Sequence, residues 1–357
     1  MANSDRMDGI SAVVCNFNGE EYLEECLSSL LAEGLDEILL VDNASEDRSV
    51  PLVRERFPSV EVIALKENGG PCVARNVGMR AARHRFVLAV DNDAVIEQGM
   101  VQRLRDALEA NPDAVVAQPR SVVFDDPSTV HYDGGAFHYV GLLALRNFYT
   151  PLASAEGTGV VETDALIGIS PLVDRDFLLS IGGYDEAFFY LAEDFDLALR
   201  TRLAGKKILA VEDAIVLHRG GTKGLSFRGG GYPQARTRLH AKNRWRIVAK
   251  CYRVRTILLA APGLLLYEVV WLVFALLQGQ LGPHLAGKLA FFRELPSALR
   301  LRRAVQAHRR VADRAVLVGG PLTLSPSLVE KPLAGMLARG VDLVLRGWWG
   351  IARHLSG

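Results

Sequence analysis

Apolar and polar positions alternate along the first third of the chain in a pattern that predicts strands and helices in turn. Short apolar runs predict buried strands, and apolar residues three or four positions apart predict helices. The predicted strands are 10–15, 37–41, 60–65, 86–90 and 114–117, and the predicted helices are 20–31, 50–57, 72–83 and 101–110. This alternation favours an α/β, Rossmann-like fold with a mainly parallel sheet and helices on both faces. In such sheets ligands bind at the carboxyl ends of the strands.

The pattern weakens in the middle of the chain. The stretch 121–159 shows little periodicity and is rich in Gly, Tyr and His, which predicts an irregular and mobile insertion. Regular structure is predicted to return at 163–173. Helices are then predicted at 174–181 and 193–203, and short strands at 207–211 and 214–217.

The character of the chain changes near residue 220. A glycine-rich basic loop leads into a basic helix at 236–250 and then a very apolar run at 257–277, which Pro262, Gly263 and Glu268 interrupt. A spanning helix needs about 20 apolar residues with few charges, and this run barely reaches that length. Basic flanks beside an apolar run favour a segment that lies in or dips into an anionic membrane surface. The alternative is a helical hairpin packed on the rest of the chain.

A final helix is predicted at 332–355. It carries Trp348 and Trp349 close to Arg346 and Arg353, and aromatic and basic residues together favour the same membrane interface. The sequence therefore predicts two parts. Residues 1–220 hold the alternating strands and helices, and residues 221–357 form a basic and apolar helical region that associates with a membrane.

Composition narrows the class of protein. The 357 residues are 49% hydrophobic and 23% charged, which excludes a disordered chain. The formal net charge of +0 predicts no nucleic-acid partner, although the segment between Asp213 and Glu268 holds many basic residues and no acidic one. The four scattered cysteines lack metal-ligand spacing, and the polar N-terminus lacks the apolar run of a signal peptide. Both features favour the cytosol.

Polar side chains follow the predicted strands at the edge where ligands bind. Asp91 and Asp93 come directly after the fourth strand, and two carboxylates one residue apart can share Mg²⁺ or Mn²⁺ with phosphate oxygens. Asp42 ends the second strand and is interpreted either as an acceptor for a base or ribose, or as the anchor of an Asx turn. Phe17 follows the first strand and either stacks on a flat base or belongs to the core.

Further candidates come from two helix starts and a strand end. Gly70 precedes a helix whose N–H groups can approach an anion, and Arg75 in that helix can meet a diphosphate as a charged fork. The alternative is a plain turn with a solvated arginine. Asp194 and Asp196 begin another helix, where acids also stabilise the helix dipole, and only one of them can point at a site because they are two positions apart. His218 ends an apolar strand and is either a metal ligand or a structural residue.

Taken in order, these segments resemble the family 2 inverting glycosyltransferases of the GT-A fold, and most closely a bacterial rhamnosyltransferase-like branch. The resemblance covers residues 10–220 and preserves the order and spacing of the motifs. The matching segments are 13–19, 41–47, 68–70, 74–78, 91–93, 182–186 and 193–197. His218 falls where that family often has a third metal ligand.

The resemblance implies a role for each candidate residue. The nucleotide-sugar donor is held by Phe17, Asp42, Gly70, Arg75 and Asp91, with Asp91 near the ribose or the sugar. Asp93 and His218 bind Mg²⁺ or Mn²⁺ on the diphosphate, and Asp194 is the general base that deprotonates the acceptor hydroxyl. We add the hypothesis that Lys223 and Arg228, which follow His218, close over the diphosphate.

The implied reaction moves a hexose, with inversion, from a nucleotide-diphosphate sugar such as dTDP-rhamnose or a UDP-sugar to a hydroxyl of a saccharide acceptor. The C-terminal region indicates a lipid-linked acceptor at the cytoplasmic face of a bacterial inner membrane, in cell-surface polysaccharide or cell-wall biosynthesis. No Arg-Trp pair follows Gln234 at the spacing of the processive synthases, which argues against processive synthesis.

A non-enzymatic, membrane-associated scaffold with a glycosyltransferase-like domain is the alternative of a different class. The sequence leaves open the donor sugar and its base, the acceptor and linkage, and the oligomeric state. It also leaves open whether 257–277 spans, dips into or lies on a membrane.

Overall fold

The first part of the structure alternates strands and helices as the sequence predicts. The computed structural model describes residues 9–157, 159–166, 168–220, 232–323 and 332–356. The strands are β1 (Ile10–Asn16), β2 (Glu37–Asp42), β3 (Glu61–Ala64), β4 (Phe86–Asp91), β5 (Ala94–Ile96) and β6 (Ala114–Val123). The helices are α1 (Glu20–Ala32), α2 (Ser49–Arg56), α3 (Pro71–Ala81) and α4 (Met100–Ala110). Strands β3, β2, β1 and β4 pair in parallel in that order, so their carboxyl ends share one edge.

The prediction of an irregular insertion at 121–159 is wrong, because this stretch forms short strands. The strands that follow β6 are β7 (Asp126–Tyr132), β8 (Gly135–His138), β9 (Leu142–Leu145), β10 (Thr150–Pro151), β11 (Val160–Thr163), β12 (Leu172–Asp174) and β13 (Lys207–His218), with β14 (Leu317–Val318) near the C-terminus. Strand β7 starts with exposed residues and lies towards the edge of the sheet, and β8 and β9 form a hairpin in a separate small sheet with β14. Short strands in such positions carry little of the apolar periodicity that marks a buried strand.

Eleven of the described strands form one large mixed sheet in the order β10-β7-β6-β12-β4-β1-β2-β3, with β13 pairing β6, β5 and β11. Strand β12 runs antiparallel between β4 and β6, whereas β13 runs parallel to β6. The strands predicted at 207–211 and 214–217 are one strand, β13, with an irregularity between Val211 and Ile215. The α/β fold class with a central parallel region is confirmed.

Helices cover both faces of the sheet because successive side chains of each strand point to opposite sides. On β1, Ala12 and Val14 pack in the hydrophobic cluster that includes α1 and α4. Val13 and Cys15 pack in the other cluster, which includes α3 and several of the later helices. All four of these side chains are buried. The unbroken apolar run of β1 thus reflects burial on both faces.

The later part of the chain is helical. Its described helices are α5 (Arg175–Ser180), α6 (Glu193–Leu203), α7 (Gln234–Cys251), α8 (Val254–Leu277), α9 (Leu281–His308), α10 (Asp313–Val316) and α11 (Pro332–Ala352). The predicted break at Pro262 is wrong, because α8 continues through it. Contacts hold α8 on both sides of the proline: Trp348 donates from Nε1 to the carbonyl of Leu259 (2.8 Å), and Trp245 donates from Nε1 to Glu268 (2.7 Å). Proline in a helix removes one backbone hydrogen bond, which such contacts can offset.

Helix α8 stands out among the described helices by its apolar composition. It is the one described helix that is long and apolar enough to cross a membrane by length and composition. A stretch of 18 residues within it has a mean hydropathy of 2.1. Only 17% of that stretch is buried inside the protein. Length and composition alone do not separate a spanning helix from one that lies on a surface.

The basic residues of α7 pair with acids from other parts of the fold. Arg246 Nε and Lys250 Nζ lie 2.9 and 2.5 Å from Asp185 Oδ2, and Lys250 Nζ also lies 2.7 Å from Asp196 Oδ1. Arg244 is buried and pairs with Glu268. The interpretation that this basic segment faces an anionic membrane is therefore wrong for these cations. Acids from other parts of the fold thus offset the charge of these three cations.

Trp349 also belongs to the core, so its assignment to a membrane interface is wrong. Its ring is 2% exposed, stacks on Tyr139 with centroids 4.6 Å apart, and donates from Nε1 to the carbonyl of Leu317 (3.2 Å). Trp348, its neighbour, is 38% exposed. One hydrophobic cluster includes Val13 and Trp349 together. The boundary at residue 220 stays a prediction, but the two predicted parts share this core.

Candidate active site

Three potential metal ligands meet at the carboxyl edge of the sheet. Asp91 ends β4, Asp93 follows it in the turn before β5, and His218 ends β13, which pairs antiparallel with β5. This pairing brings together residues that are more than a hundred positions apart. His218 Nε2 lies 3.3 Å from Asp93 Oδ1. One ligand atom from each of the three residues lies within 4.8 Å of the others.

The donor set fits a divalent cation. Two carboxylates and an imidazole suit Mn²⁺, and the carboxylates alone suit Mg²⁺. Asp93 and His218 are nearly buried, whereas the side chain of Asp91 is 29% exposed. Burial raises the pKa of Asp91, and nearby Asp93 adds to this rise. A cation held between the carboxylates would offset both effects. The assignment of Asp93 and His218 to a metal, made from the sequence, stays a prediction, and the geometry adds Asp91 to the same group.

His131 is part of this site, although the sequence did not suggest it. Its Nδ1 lies 3.4 Å from Nδ1 of His218, and the two rings stack with centroids 5.5 Å apart. Burial and then the nearby His218 lower the pKa of His131 to about 3, so its ring is neutral at ordinary pH. His131 lies on β7, in the stretch predicted to be irregular. Because that strand was not predicted, nothing in the sequence placed His131 near His218.

Arg75 lies at the centre of the acidic side chains. Its side chain is 3% exposed, so the alternative of a solvated arginine is wrong. The guanidinium donates to Asp91 Oδ1 (2.7 Å), to the carbonyl of Gly168 (2.8 Å) and to Asp194 Oδ1 (3.2 Å). The proposed contact of Arg75 with a diphosphate stays a prediction. In this structure the guanidinium links Asp91, one of the candidate metal ligands, to Asp194.

Asp194 lies in the first turn of α6 and faces this group. Its side chain is 23% exposed, whereas that of Glu193 is 6% exposed. Burial raises the pKa of Asp194 to about 6, with Arg75 opposing the rise. Burial, with Asp194 next, raises the pKa of Glu193 to about 8. Gly168 leaves room for the carboxylate, because a Cβ at that position would come within 2.1 Å of Asp194 Oδ2.

Asp196 points away from the site. It is fully buried and accepts a hydrogen bond from Arg200 Nε (2.8 Å), one turn along the same helix. Lys250 on α7 lies on its other side. The prediction that only one of Asp194 and Asp196 can face the site is confirmed, and Asp194 is the one that does.

Two of the residues predicted to hold the nucleotide, Asp42 and Phe17, differ in how far they are exposed. Asp42 is buried and accepts hydrogen bonds from Asn16 Nδ2 (2.7 Å), Ser45 Oγ (2.6 Å) and Ser45 N (2.9 Å), as an aspartate that anchors a turn does. Phe17 is 40% exposed, so its alternative placement in the core is wrong. Whether either residue binds a base stays a prediction.

The fold itself requires a glycine at position 70, whether or not this residue also contacts a ligand. Its φ of 82° lies in the region that favours glycine, and a Cβ there would come within 2.7 Å of the carbonyl oxygen of Phe189. Its N–H donates to Asn68 Oδ1 (2.9 Å), so this group is already used within the loop. The predicted contact of Gly70 with the donor stays a prediction. Lys223 and Arg228, predicted to close over the diphosphate, lie outside the described residues.

Comparisons with known proteins show what part of this chain is similar to. Residues 11–160 match the sequence model of the family described as Glycosyl transferase family 2. The uncharacterized glycosyltransferase EpsJ of Bacillus subtilis (strain 168) is 37% identical over 107 residues, which are 29% of this chain and 31% of EpsJ. The succinoglycan biosynthesis protein ExoO of Rhizobium meliloti (strain 1021) is 33% identical over 109 residues, 30% of this chain and 31% of ExoO.

The fold is also similar to that of a solved glycosyltransferase. The crystal structure of GalNAc-T7 with UDP, GalNAc and Mn²⁺ aligns with a TM-score of 0.54 and 18% identity, over 73% of this chain and 51% of GalNAc-T7. This likeness supports the GT-A-like fold. The chain spans about a third of the length of the two curated relatives, and the match covers the part that carries Asp42, Arg75, Asp91 and Asp93.

Proposed function

We propose that this protein is an inverting glycosyltransferase that moves a sugar from a nucleotide-diphosphate sugar to a hydroxyl of a saccharide acceptor. The observation that carries the proposal is the guanidinium of Arg75, which contacts both Asp91 of the candidate metal group and Asp194. A metal group and a partly exposed base of raised pKa thus lie on either side of one buried cation. That is what a reaction with a diphosphate leaving group and a hydroxyl nucleophile requires.

The residues divide the chemistry between two sides of the site. Asp194 accepts the proton of the acceptor hydroxyl, and the acceptor oxygen then bonds to the anomeric carbon as the bond to the diphosphate breaks. Attack from the face opposite the leaving group inverts the anomeric configuration. Asp91, Asp93 and His218 would hold Mg²⁺ or Mn²⁺, which supplies positive charge to the diphosphate as it leaves. Arg75 orients Asp194 by a hydrogen bond of 3.2 Å.

The substrates are proposed at a coarser level. A dTDP-rhamnose-like sugar or a UDP-sugar is the donor that the motifs favour. The relative named for succinoglycan biosynthesis supports a role in cell-surface polysaccharide or cell-wall biosynthesis. The exposed apolar helix α8 supports a lipid-linked acceptor at the cytoplasmic face of a bacterial inner membrane.

The first prediction concerns the metal. With the correct donor among dTDP-, UDP- and GDP-sugars, release of nucleoside diphosphate is expected to require Mn²⁺ or Mg²⁺. Asp93→Asn is expected to lower turnover about 100-fold, because a cation at a developing negative charge contributes on the order of that factor. The measurement is nucleoside diphosphate released with and without a chelator.

Asp213→Asn is the control for this prediction. Asp213 is an exposed aspartate on the same strand as His218, so its loss should leave turnover unchanged. Turnover that resists the chelator would contradict the metal assignment. Failure to turn over any donor with either metal would favour the scaffold over the enzyme.

The second prediction concerns pH. A general base acts in its deprotonated form, and the pKa of Asp194 is raised to about 6. We therefore expect kcat/KM to fall about tenfold per pH unit as the pH drops below about 6, and to level off above it. The measurement is a pH profile at saturating metal. A profile that is flat down to pH 5, with the protein still folded, would contradict this role.

A further inference from the structure

We propose that helices α8, α9 and α11 form a membrane-binding surface that lies in the plane of the lipid surface and does not span it. This inference rests on the proposed function, whose lipid-linked acceptor it would bring to the site. We define the apolar face as the exposed large apolar side chains of these helices. They are Val254, Leu258, Leu265, Val269, Val270, Val273, Leu276, Leu277, Leu281, Leu285, Leu289, Phe292, Leu299, Leu301, Met336, Leu337, Leu343, Val344, Trp348 and Ile351.

The apolar face consists of large side chains that are strongly exposed. Helix α8 contacts both α9 and α11, so the apolar face is drawn from neighbouring helices. Leu258 and Leu265 on α8 are 70% and 60% exposed, Phe292 on α9 is 64% exposed, and Leu343 on α11 is 72% exposed. Contiguous exposed apolar patches beyond a few hundred Å² mark interaction surfaces in soluble proteins.

The polar side of α8 faces the protein. A helix on the surface of a soluble protein shows the reverse, with its apolar side facing the core. Glu268 pairs with the buried Arg244, accepts from Trp245 Nε1 (2.7 Å) and lies 2.5 Å from Lys288 Nζ of α9. Its carboxylate is thus held between α7 and α9. The side chains that turn outwards on α8 are almost all aliphatic.

These inward contacts decide between lying on a membrane and spanning it. A spanning α8 would have to leave α7 and α9 and carry Glu268, stripped of its three partners, into hydrocarbon. It would also expose the close contact at Gly263, where a Cβ would come within 2.0 Å of Tyr139 Oη. A helix that lies in the plane keeps both contacts and buries only its outer, aliphatic side.

The charges at the edges of the apolar face favour an anionic lipid surface over a second copy of the chain. Arg255 on α8 and Arg293, Arg300 and Arg303 on α9 are exposed. The acidic residues of these two helices, Glu268 and Glu294, pair with cations on the side of α7. A symmetric dimer through this face would bring like charges together, because the same patch serves both copies. Anionic headgroups would complement those arginines.

The surface is connected to the proposed base through α7. Asn243 donates from Nδ2 to the carbonyls of Tyr190 (2.9 Å) and Leu191 (2.7 Å), just before α6 begins at Glu193. Lys242 and Arg246 of the same helix pair with Glu294 of α9. Helix α7 therefore contacts both a helix of the apolar face and the segment that leads into the turn with Asp194.

The first test measures binding to vesicles. The full-length protein is expected to float with vesicles of phosphatidylcholine and phosphatidylglycerol, and less with phosphatidylcholine alone. The double variant Leu258→Gln and Leu265→Gln should bind about 10-fold or more weakly, since two exposed leucines lose their burial in lipid. The matched control is Leu31→Gln with Val160→Gln, which changes two exposed apolar residues elsewhere (40% and 47% exposed) and should bind like the parent.

Each outcome bears on the surface and not on catalysis. A folded protein that stays in solution with both vesicle types would overturn the proposal, as would equal binding by the two double variants. The proposal would also be overturned, in favour of a second copy of the chain, by a particular pair of results. The parent would form a stable dimer in detergent-free solution, and the Leu258→Gln and Leu265→Gln variant would be a monomer. Vesicle binding does not depend on turnover of a donor. The binding result can therefore be interpreted even if the proposed enzymatic function is wrong.

The second test separates the in-plane from the spanning arrangement. Arg255→Cys and Gln278→Cys place single thiols near the two ends of α8, where both native side chains are exposed. The native cysteines are all buried, which keeps background labelling low. With protein bound to closed vesicles, a membrane-impermeant maleimide added outside should label both positions. Labelling of only one end would show that α8 spans the bilayer and would overturn the proposal.

Discussion

Replacing Asp194 with asparagine is expected to lower kcat about 1,000-fold while leaving the fold intact. The change removes the carboxylate that would accept the proton of the acceptor hydroxyl, and general bases contribute factors of this order. Asparagine has nearly the same shape, so the narrow space between Gly168 and Asp194 stays filled without new overlap. The measurement is single-turnover transfer to acceptor, with donor binding measured separately. Donor affinity should stay within a few-fold of the parent, because we propose that this residue acts on the acceptor and not on the donor.

Asp106→Asn is the control for that change. Asp106 is an exposed aspartate on α4 that accepts a hydrogen bond from Gln102, and its loss should not alter transfer. If Asp194→Asn transferred sugar at the parental rate, another group would have to be the base. The buried Glu193, with its pKa raised to about 8, would then be the first to examine.

Replacing Asp196 with alanine is expected to lower the free energy of unfolding by about 3–5 kcal/mol. Asp196 is fully buried between Arg200 and Lys250, at 2.8 and 2.7 Å, and its removal leaves buried cations without their full complement of partners. Asp185 continues to pair with Lys250, which limits the loss. The measurement is denaturant unfolding of the two proteins under identical conditions.

Glu109→Ala provides a matched comparison for the Asp196 change. Glu109 pairs with Arg105 at 2.7 Å, also four positions apart on one helix, but these side chains are 52% and 32% exposed. Exposed pairs contribute only about 0–1 kcal/mol. If the two variants lost the same stability, the cost at Asp196 would come from loss of a side chain in a helix and not from buried charge.

Much of the fold followed from sequence because its central strands are buried on both sides. The apolar runs that became β1, β2 and β4 are unbroken for that reason, and the candidate residues at their ends, Asp42 and Asp91, lie at the predicted edge. The pairing of β13 with β5 could not be read from the chain. Proximity of His218 to Asp93 was expected only through resemblance.

The failures have physical causes that a linear pattern does not show. The alternative of a solvated Arg75 arose because arginine is seldom buried, yet three carboxylates and a carbonyl surround it. The cations of α7 suggested an anionic surface, although their partners Asp185 and Asp196 come earlier in the chain. Both errors arise because ion pairs join residues far apart in sequence. His131 was missed for the related reason that short strands away from the middle of a sheet give a weak signal.

The pairing of Asp185 with Arg246 and Lys250 restricts how this protein can change in evolution. Asp185 lies in the nucleotide-sugar domain suggested by the sequence, and its partners lie in the helices that follow. A substitution on one side leaves charge buried on the other, so the two must change together. If relatives exchanged their C-terminal helices by recombination between β13 and α7, the pairing would break unless both sets of charged residues were exchanged together. We therefore expect this protein to be inherited as a single unit, although its sequence reads as two.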